Sequence, residues 1–447
     1  MVRVAYDVSS VVPPPGTTRI VTGIGRVIEE HLTWLRRNPA LDVKVIGAFG
    51  EDWNPVTTSI ATERWAAFTC QPPVPSLRTF KAKSGLGKAG ANLLYRLEEL
   101  ANRQWRTPGI GRRVLLLATG AVRRLVRAGV KIGLDRNEAD VFHATFRAPP
   151  EWLHPSIPRV VTVHDVIPIR HAEEAGPDAM GMLKSLLAAL DPTRDVVVAV
   201  SQFTKDDFCD LSGFPADRVV VAHLSAGPCF RPVEDQAIAA QVRARWGLEN
   251  HPFLLSVANP QPRKNIPMLI RAFFAVAKRF PSWPGKLVLV GNPKAGTSAE
   301  TIDRQLAKDP ELATRIVRAR GVSDDDLAGL YSQCEAFVFP STYEGFGLPV
   351  LEALQCAAPV ICSNRSSLPE VAGNAAILVD PNDESALVEA INEVIVNPDR
   401  RRELKSLSVQ QAARFSWKIS ADCVARAYQM ALDLSGKPGG RNATVAS

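Results

Sequence analysis

Two glutamates separated by seven residues follow a short apolar run, the first in a loop and the second in the first turn of a helical pattern. Glu344 opens the segment 344–352, which reads EGFGLPVLE, and Glu352 closes it. A carboxylate can accept two hydroxyl protons at once, which suits the diols of a sugar or a ribose. The pattern therefore predicts a site for a polyhydroxylated ligand. A tight turn with two solvated glutamates is the alternative that these residues alone leave open.

The residues between the two glutamates are suited to binding an anion. Gly345 and Gly347 let the backbone come close to a ligand, and Pro349 fits the first turn of a helix. The amides of Phe346, Gly347 and Leu348 would then lie at the positive end of the helix dipole. We expect a phosphate group at this helix start.

A basic pair follows the first apolar run of the second half of the chain. Arg263 and Lys264 lie in the segment 259–265, NPQPRKN, where a strand is predicted to end. Arginine presents a planar fork to two oxygens and lysine a compact charge, so the two together can neutralise a diphosphate. A basic pair on the surface with no ligand is the alternative.

The first half of the chain carries weaker signals. His164 ends an apolar run beside Asp165. It is either a structural residue or one that contacts an acceptor or transfers a proton. Gly23 and Gly25 open the first helical pattern, but the full GxGxxG spacing is absent. A nicotinamide site is therefore not expected.

No pattern indicates a metal or another cofactor. Three consecutive aspartates, 324–326, follow Ser323 and are predicted to form the first turn of a helix. The seven cysteines are scattered and form no CxxC pair, which favours free thiols over a metal site or a disulfide framework. We expect chemistry that needs no metal.

The elements that must position these residues alternate along the chain. Apolar runs between amphipathic helices are typical of a parallel sheet covered on both faces. The strands are predicted at 2–8, 43–48, 141–144, 159–163, 196–200, 218–222, 253–258, 286–291, 336–340, 359–362 and 376–379. The helices are predicted at 24–37, 179–190, 202–211, 266–280, 324–333, 350–357, 384–396, 398–415 and 419–434.

This alternation predicts an α/β fold with two doubly wound, Rossmann-like domains that face each other across a cleft. A ligand is expected at the carboxyl ends of the strands, between the domains. The predicted division gives a first domain at 1–230 and a second at 231–415. A final helix at 416–434 follows, and the polar tail 435–447 is predicted to be disordered.

Residues 70–135 interrupt the alternation and are predicted to form a basic helical insertion, with helical patterns at 91–103 and 112–130. Between Arg78 and Lys131 there are 13 Lys or Arg and two Glu, whereas the whole chain has a net charge of +7. A basic amphipathic insertion can lie on an anionic membrane surface. A solvated face that covers a sheet edge and a site for an anionic acceptor are alternatives. No nucleic-acid-binding motif accompanies the basic run, so a nucleic-acid partner is not expected.

The motifs together resemble family 4 of the retaining GT-B glycosyltransferases, in particular mannosyltransferases of bacterial surface-polysaccharide synthesis. The segment 344–352 matches the family's E-x7-E pattern, and 262–265, PRKN, matches its phosphate loop. Segments 200–205, 321–331 and 363–371 also fit. The similarity is strong over 195–430, moderate over 1–50 and 140–195, and nearly absent over 55–135.

The resemblance implies a role for each candidate residue. Glu344 would contact the transferred hexose, and Glu352 the ribose of the nucleotide. Many members carry Gly-Arg where this chain has Ala258 and Asn259, so Arg263 is expected to replace the missing arginine. The expected catalytic residues are His164, Arg263, Lys264 and Glu344. The expected donor-binding residues are Gly23, Gly25, Asn259, Phe346, Gly347, Leu348 and Glu352.

The resemblance also implies an activity, namely transfer of a hexose from a nucleotide sugar to a hydroxyl of a glycan or lipid-linked acceptor, with retention of configuration. GDP-mannose is the first candidate donor, and UDP-hexoses remain open. A nucleotide-sugar epimerase of the same fold and a non-catalytic nucleotide-sugar-binding protein are the alternatives. The chain shows no signal peptide and no apolar run near the roughly 18 residues of a membrane span. We therefore expect a cytoplasmic protein, either free or peripheral at the inner face of the membrane through 78–131.

Overall fold

The computed structural model describes residues 1–12, 23–47, 137–257, 261–291 and 298–436. It also describes residues 62, 134 and 259 and the short pieces 76–77, 80–82, 93–96 and 130–132. In this part of the chain, no helix combines the length and the apolar character that crossing a lipid bilayer requires. Every cysteine among these residues is a free thiol, and Cys70 lies outside them.

The first domain is built on a seven-stranded parallel sheet with the order β3-β2-β1-β6-β7-β8-β9. A separate antiparallel pair joins β4 to β5. The strands are β1 (Val2–Asp7), β2 (Leu41–Ile46), β3 (Ser76–Leu77), β4 (Phe80–Ala82), β5 (Val130–Ile132), β6 (Val141–Ala144), β7 (Arg159–Val163), β8 (Val196–Ala199) and β9 (Val219–Val221). Because the strand order reverses at β1, the carboxyl ends near this strand form the crevice in which such sheets bind ligands.

The second domain is built on a six-stranded parallel sheet with the order β12-β11-β10-β13-β14-β15. Its strands are β10 (Phe253–Val257), β11 (Lys286–Val290), β12 (Ile316–Ala319), β13 (Ala336–Phe339), β14 (Val360–Ser363) and β15 (Ala376–Val379). All residues of β13 and β14 are buried, as expected for central strands with helices on both faces.

Helices cover the faces of both sheets. They are α1 (Gly23–Leu35), α2 (Ile167–Arg170), α3 (Pro177–Ala189), α4 (Gln202–Ser212), α5 (Gln236–Arg245), α6 (Ile266–Arg279), α7 (Ala299–Leu306), α8 (Pro310–Ala313), α9 (Asp324–Gln333), α10 (Leu348–Gln355), α11 (Leu368–Ala372), α12 (Glu384–Val396), α13 (Pro398–Ala412) and α14 (Trp417–Leu434). Two 3-10 turns lie at Ala216–Arg218 and Pro262–Lys264. The prediction of two doubly wound α/β domains is confirmed.

The last helix, α14, packs on α1 and on strands of the first sheet. Its buried face carries polar side chains as well as apolar ones. The ring of His31 lies 2.8 Å from the Ser420 hydroxyl, and the ring of His143 lies 2.8 Å from the Tyr428 hydroxyl. Burial lowers the pKa of His31 to about 3, so this imidazole is neutral in the folded protein. The residue limits 230 and 415 of the predicted domains remain predictions.

The structure corrects one part of the predicted basic insertion. Val130 was predicted to end a helix, but it begins β5, which pairs with β4. Residues 93–96 are helical, and the rest of the two basic helical patterns lies outside the described residues. So does the tail at 437–447, while Ser435 and Gly436 form a turn after α14.

Candidate functional site

A cavity of about 370 Å³ lies between the two domains, at the carboxyl ends of their strands. The start of α1 and the loop after β7 line it from the first domain. The loop after β10, the segment 344–349 and the start of α9 line it from the second domain. The predicted site residues that line this cavity are Gly23, His164, Arg263, Glu344, Phe346, Gly347, Leu348 and Glu352.

Glu344 is the centre of the polar network in this cavity. One of its oxygens, Oε1, accepts hydrogen bonds from the Ser341 hydroxyl at 2.7 Å, the Arg263 guanidinium at 3.0 Å and the Lys264 ammonium at 2.6 Å. Its other oxygen, Oε2, has no hydrogen-bond partner among the described residues. Burial alone would raise the pKa of Glu344, but Lys264 and Arg263 bring it below its ordinary value. The carboxylate is therefore ionised and has one oxygen available to a ligand hydroxyl.

The basic pair is held by the loop after β10. The Arg263 guanidinium also donates to the Tyr343 carbonyl at 3.2 Å and to the Gln261 side chain at 2.9 Å. Lys264 does not line the cavity itself, but it reaches Glu344, and its Nζ lies 5.0 Å from the centre of the Phe339 ring. Burial lowers the pKa of Lys264, against the effect of Glu344. The pair lies in the loop at the carboxyl end of β10, and both of its cations contact the first glutamate of the motif.

The segment between the glutamates opens α10 as predicted. Gly347 has φ +98°, a conformation that a side chain would strain, and a Cβ there would lie 2.6 Å from Leu368. The amides of Phe346, Gly347 and Leu348 have no hydrogen-bond acceptor in the described part of the chain. They lie at the N-terminus of α10, so the arrangement can bind an anion.

Glu352 lies at another part of the same cavity and is paired with Arg26, a residue for which the sequence predicted no role. Arg26 donates to Glu352 at 3.1 Å and to Asp324 at 2.5 Å. Burial raises the pKa of Glu352 to about 7, although Arg26 opposes this shift. Arg26 directly follows the Gly23 and Gly25 pattern, and this position next to two predicted site residues is the feature of the sequence that could have identified it.

His164 directly follows β7 and lines the cavity together with loop residues of both domains. Its Nε2 donates to the Thr145 carbonyl at 2.9 Å, which leaves Nδ1 as the unprotonated nitrogen. Burial lowers the pKa of His164 to about 4. A neutral imidazole with a free lone pair can accept a hydrogen bond from a ligand hydroxyl, but it is a weak base at neutral pH.

A second cavity of about 350 Å³ adjoins the first on the side of the first domain. His164, Asp165 and Arg263 line both cavities. Most of the other lining residues are apolar, including Phe146 and residues of α3. The Phe146 ring lies 6.0 Å from the ring of His164. The two cavities therefore provide space for two ligands that meet near His164.

Three predicted site residues, Lys264, Gly25 and Asn259, are not among the described residues that line the first cavity. Gly25 is buried within α1. Asn259 is exposed, and its carbonyl accepts the Gln261 amide at 2.7 Å. Its neighbour Ala258 lies outside the described residues.

The two doubly wound domains and the cleft between them are those of the GT-B fold class. A solved glycosyltransferase from Rickettsia africae aligns over 96% of this chain and 98% of its own, with a TM-score of 0.61 at 15% identity. WaaG, a glycosyltransferase of lipopolysaccharide biosynthesis, aligns over 97% and 99%, with a TM-score of 0.58 at 15% identity.

Sequence comparison gives the family. The model for glycosyl transferases group 1 matches residues 220–409, and the model for glycosyltransferase family 4 matches residues 94–224. The O-antigen chain mannosyltransferase B of Escherichia coli is 33% identical over 279 residues, which cover 61% of this chain and 70% of that protein. The chain belongs to glycosyltransferase family 4. The serotype-specific mannosyltransferase WbdA of Escherichia coli is 32% identical over 269 residues, 59% of this chain but only 32% of the relative.

Proposed function

We propose that the protein transfers a hexose from a nucleotide sugar to an acceptor hydroxyl in the cleft between its two domains. The state of Glu344 is the observation that carries this proposal. Three donors saturate its Oε1, while Oε2 has no partner among the described residues. A buried, ionised carboxylate held in this way is preorganised to accept hydrogen bonds from a sugar.

The donor's diphosphate is proposed to lie between the basic pair and the start of α10. Negative charge develops on the diphosphate as the glycosidic bond breaks. The cations of Arg263 and Lys264 and the amides of 346–348 would stabilise that charge, because they are already positioned and need little reorganisation. Glu352 and Arg26 would contact the ribose and nucleotide part. Gly23 is also proposed to contact the nucleotide-sugar donor. We propose that the reaction uses no metal.

Mannose from GDP-mannose is the proposed donor, and retention of configuration is the proposed outcome. The relatives' names support the sugar. They include the O-antigen mannosyltransferase and a GDP-mannose-dependent phosphatidylinositol monomannoside mannosyltransferase of Mycolicibacterium smegmatis, which is 28% identical over 288 residues, 62% of this chain and 72% of that protein. We propose a role in cell-surface polysaccharide synthesis on the cytoplasmic side of the membrane. Contact of 78–131 with anionic lipid remains part of that proposal.

The second cavity is the proposed acceptor site. It adjoins the first cavity at His164, whose Nδ1 has no hydrogen-bond partner among the described residues and could accept a hydrogen bond from the attacking hydroxyl. Its apolar lining suits the C–H faces of a sugar or part of a lipid-linked glycan.

A donor panel tests the activity. Purified protein is incubated with GDP-mannose and with UDP-hexoses, with and without bacterial membranes as the acceptor source, and free nucleoside diphosphate is measured. We expect release of GDP that depends on the membranes. Release without any acceptor would instead favour an epimerase or hydrolase. Binding of a nucleotide sugar without release would favour a non-catalytic protein.

The variant Glu344→Gln tests the site within that assay. The amide has the same shape but neither the charge nor the acceptor strength, so we expect kcat/KM to fall at least 100-fold, about 2.7 kcal/mol of transition-state stabilisation. Glu335→Gln is the matched control. Glu335 directly precedes β13, the strand that leads to Glu344, and it accepts a hydrogen bond from Trp283 away from the cavity. Equal activity of the two variants would contradict the assigned site.

A further inference from the structure

We propose that Glu174, in the first domain, is a positioning residue that holds the phosphate-binding loop of the second domain in place. Its Oε1 accepts the backbone amide of Arg263 at 2.7 Å. Its Oε2 lies 3.4 Å from Nε of the same arginine. This inference rests on the proposed function, because it concerns the loop that would bind the donor's diphosphate.

The burial of Glu174 makes this contact specific. Its side chain is only 2% exposed. Its Oε2 and the Arg263 Nε are both buried and form no hydrogen bond with any other described residue. The two atoms lie 3.4 Å apart and lack other hydrogen-bond partners in the described part of the chain, so the two side chains form an ion pair. A buried carboxylate in this position requires the arginine, and the arginine's main chain and side chain are both restrained by it.

The contact crosses the cleft. Glu174 follows α2 and lines the second cavity, whereas Arg263 lies in the loop after β10 and lines both cavities. Glu174 therefore joins the proposed acceptor side to the proposed donor side. The other hydrogen bonds of the 261–265 loop to described residues lie within its own domain, such as the bond from the Thr342 amide to the Arg263 carbonyl at 2.7 Å.

A metal-binding role for this carboxylate is less consistent with the structure. Ligand atoms of His171, Glu173 and Glu174 lie within 4.8 Å of one another. However, the guanidinium beside the Glu174 carboxylate would repel a divalent cation, and it already supplies the positive charge that this carboxylate needs.

Three variants test the positioning role by steady-state kinetics with the donor that the panel identifies. Glu174→Ala leaves the loop to be ordered by the donor itself, so we expect the donor KM to rise about tenfold with a smaller change in kcat. Glu174→Gln keeps an oxygen for the Arg263 amide and is expected to restore most of the wild-type KM. Glu173→Ala, the exposed neighbour, is the control and is expected to match wild type.

Hydrogen exchange gives a second measurement that does not need a substrate. The Arg263 amide donates directly to Glu174, so peptides that span 261–265 should exchange faster in Glu174→Ala than in Glu173→Ala or wild type. Unchanged exchange and unchanged KM in Glu174→Ala would overturn the inference. Failure of the wild-type protein to turn over any donor, with faster exchange in Glu174→Ala, would instead contradict the proposed function and leave the positioning role supported.

Discussion

At the scale of single residues, the balance of burial and charge shifts the pKa values of the two glutamates of the motif in opposite directions. Glu344 has two cations and a hydroxyl on one oxygen, and its pKa lies below the ordinary value. Glu352 is about as buried but has one guanidinium, which it shares with Asp324, and its pKa is raised to about 7. The site therefore holds one carboxylate that is ionised and one that is near half protonation at neutral pH.

Glu352 should make the stability of the protein depend on pH. Between its ordinary pKa of 4.5 and about 7, the folded protein holds a proton that the unfolded chain has released. Stability contributed by this group is thus lost as the pH rises through that window. Glu352→Gln removes the titration. Relative to wild type, we expect this variant to gain about 1–3 kcal/mol in unfolding free energy between pH 5 and pH 8.

Urea unfolding at the two pH values measures this difference. Glu344→Gln serves as the comparison, because a lowered pKa contributes stability that is fully present above the unfolded pKa. Its effect should therefore be destabilising by the same amount at pH 5 and pH 8. A pH-independent difference for Glu352→Gln would show that Glu352 is ionised throughout this range.

The sequence could predict some of these residues and not others, for a physical reason. Glu344, Glu352, Arg263 and Lys264 lie in short motifs next to strand ends, and parallel strands bring such ends together. Glu174 contacts a loop 89 residues away in the other domain. Spacing along the chain does not indicate which glutamate in a polar segment becomes buried when two domains pack together.

At the scale of elements, apolar periodicity predicted the buried strands and the long helices. It missed β12, which lies at the edge of the second sheet and is mostly half-buried, so its sequence IVRA is less apolar. It also missed α5, whose sequence QAIAAQVRAR buries only Ala239 and Val242. An element with a narrow buried face leaves a weak pattern.

Docking of α14 depends on buried polar contacts as well as apolar packing. Ser420 is fully buried, and its hydroxyl lies 2.8 Å from the ring of His31. Ser420→Ala would leave that imidazole without its partner, so we expect a loss of about 1–3 kcal/mol in unfolding free energy. Chemical denaturation followed by circular dichroism measures it.

Ser406→Ala is the control for helix propensity, because Ser406 is an exposed serine within α13. It should be neutral or gain a few tenths of a kcal/mol, since alanine is the better helix former. If both serine variants had the same stability, the His31 contact would contribute nothing to the docking of α14.

At the scale of the whole molecule, the segment 343–346 is one of the places where the two domains are in contact. The Gly345 carbonyl accepts the hydroxyls of Ser201 at 2.6 Å and Thr204 at 2.8 Å, both from the first domain. Nearby, Glu370 of the second domain accepts the Gln202 amide at 2.8 Å at the start of α4. The motif that is proposed to bind the donor is therefore also part of the domain interface.

Gly345 should consequently control closure of the cleft. A Cβ on this residue would lie 2.2 Å from the carbonyl oxygen of His164 and 2.9 Å from Cβ of Asp165. The nearest of these atoms belongs to the backbone, so rotation of a side chain cannot relieve the clash. Gly345→Ala should relieve the clash by separating the domains, which would move the basic pair and Glu344 away from His164. A displacement of about 1 Å at reacting groups can cost 100-fold in rate, so we expect at least that loss of transfer activity.

Small-angle scattering and activity together distinguish this effect from unfolding. The radius of gyration of Gly345→Ala should increase while the circular dichroism spectrum stays that of the wild type. Gly181→Ala is the matched control, because Gly181 lies within α3 with no atom within 4 Å of an added Cβ. It should keep full activity and gain about 0.5–1 kcal/mol in stability from the better helix former. If Gly345→Ala were as active and as compact as Gly181→Ala, the two domains could not be in contact at this glycine in solution, and the cleft would bind its donor in a more open arrangement.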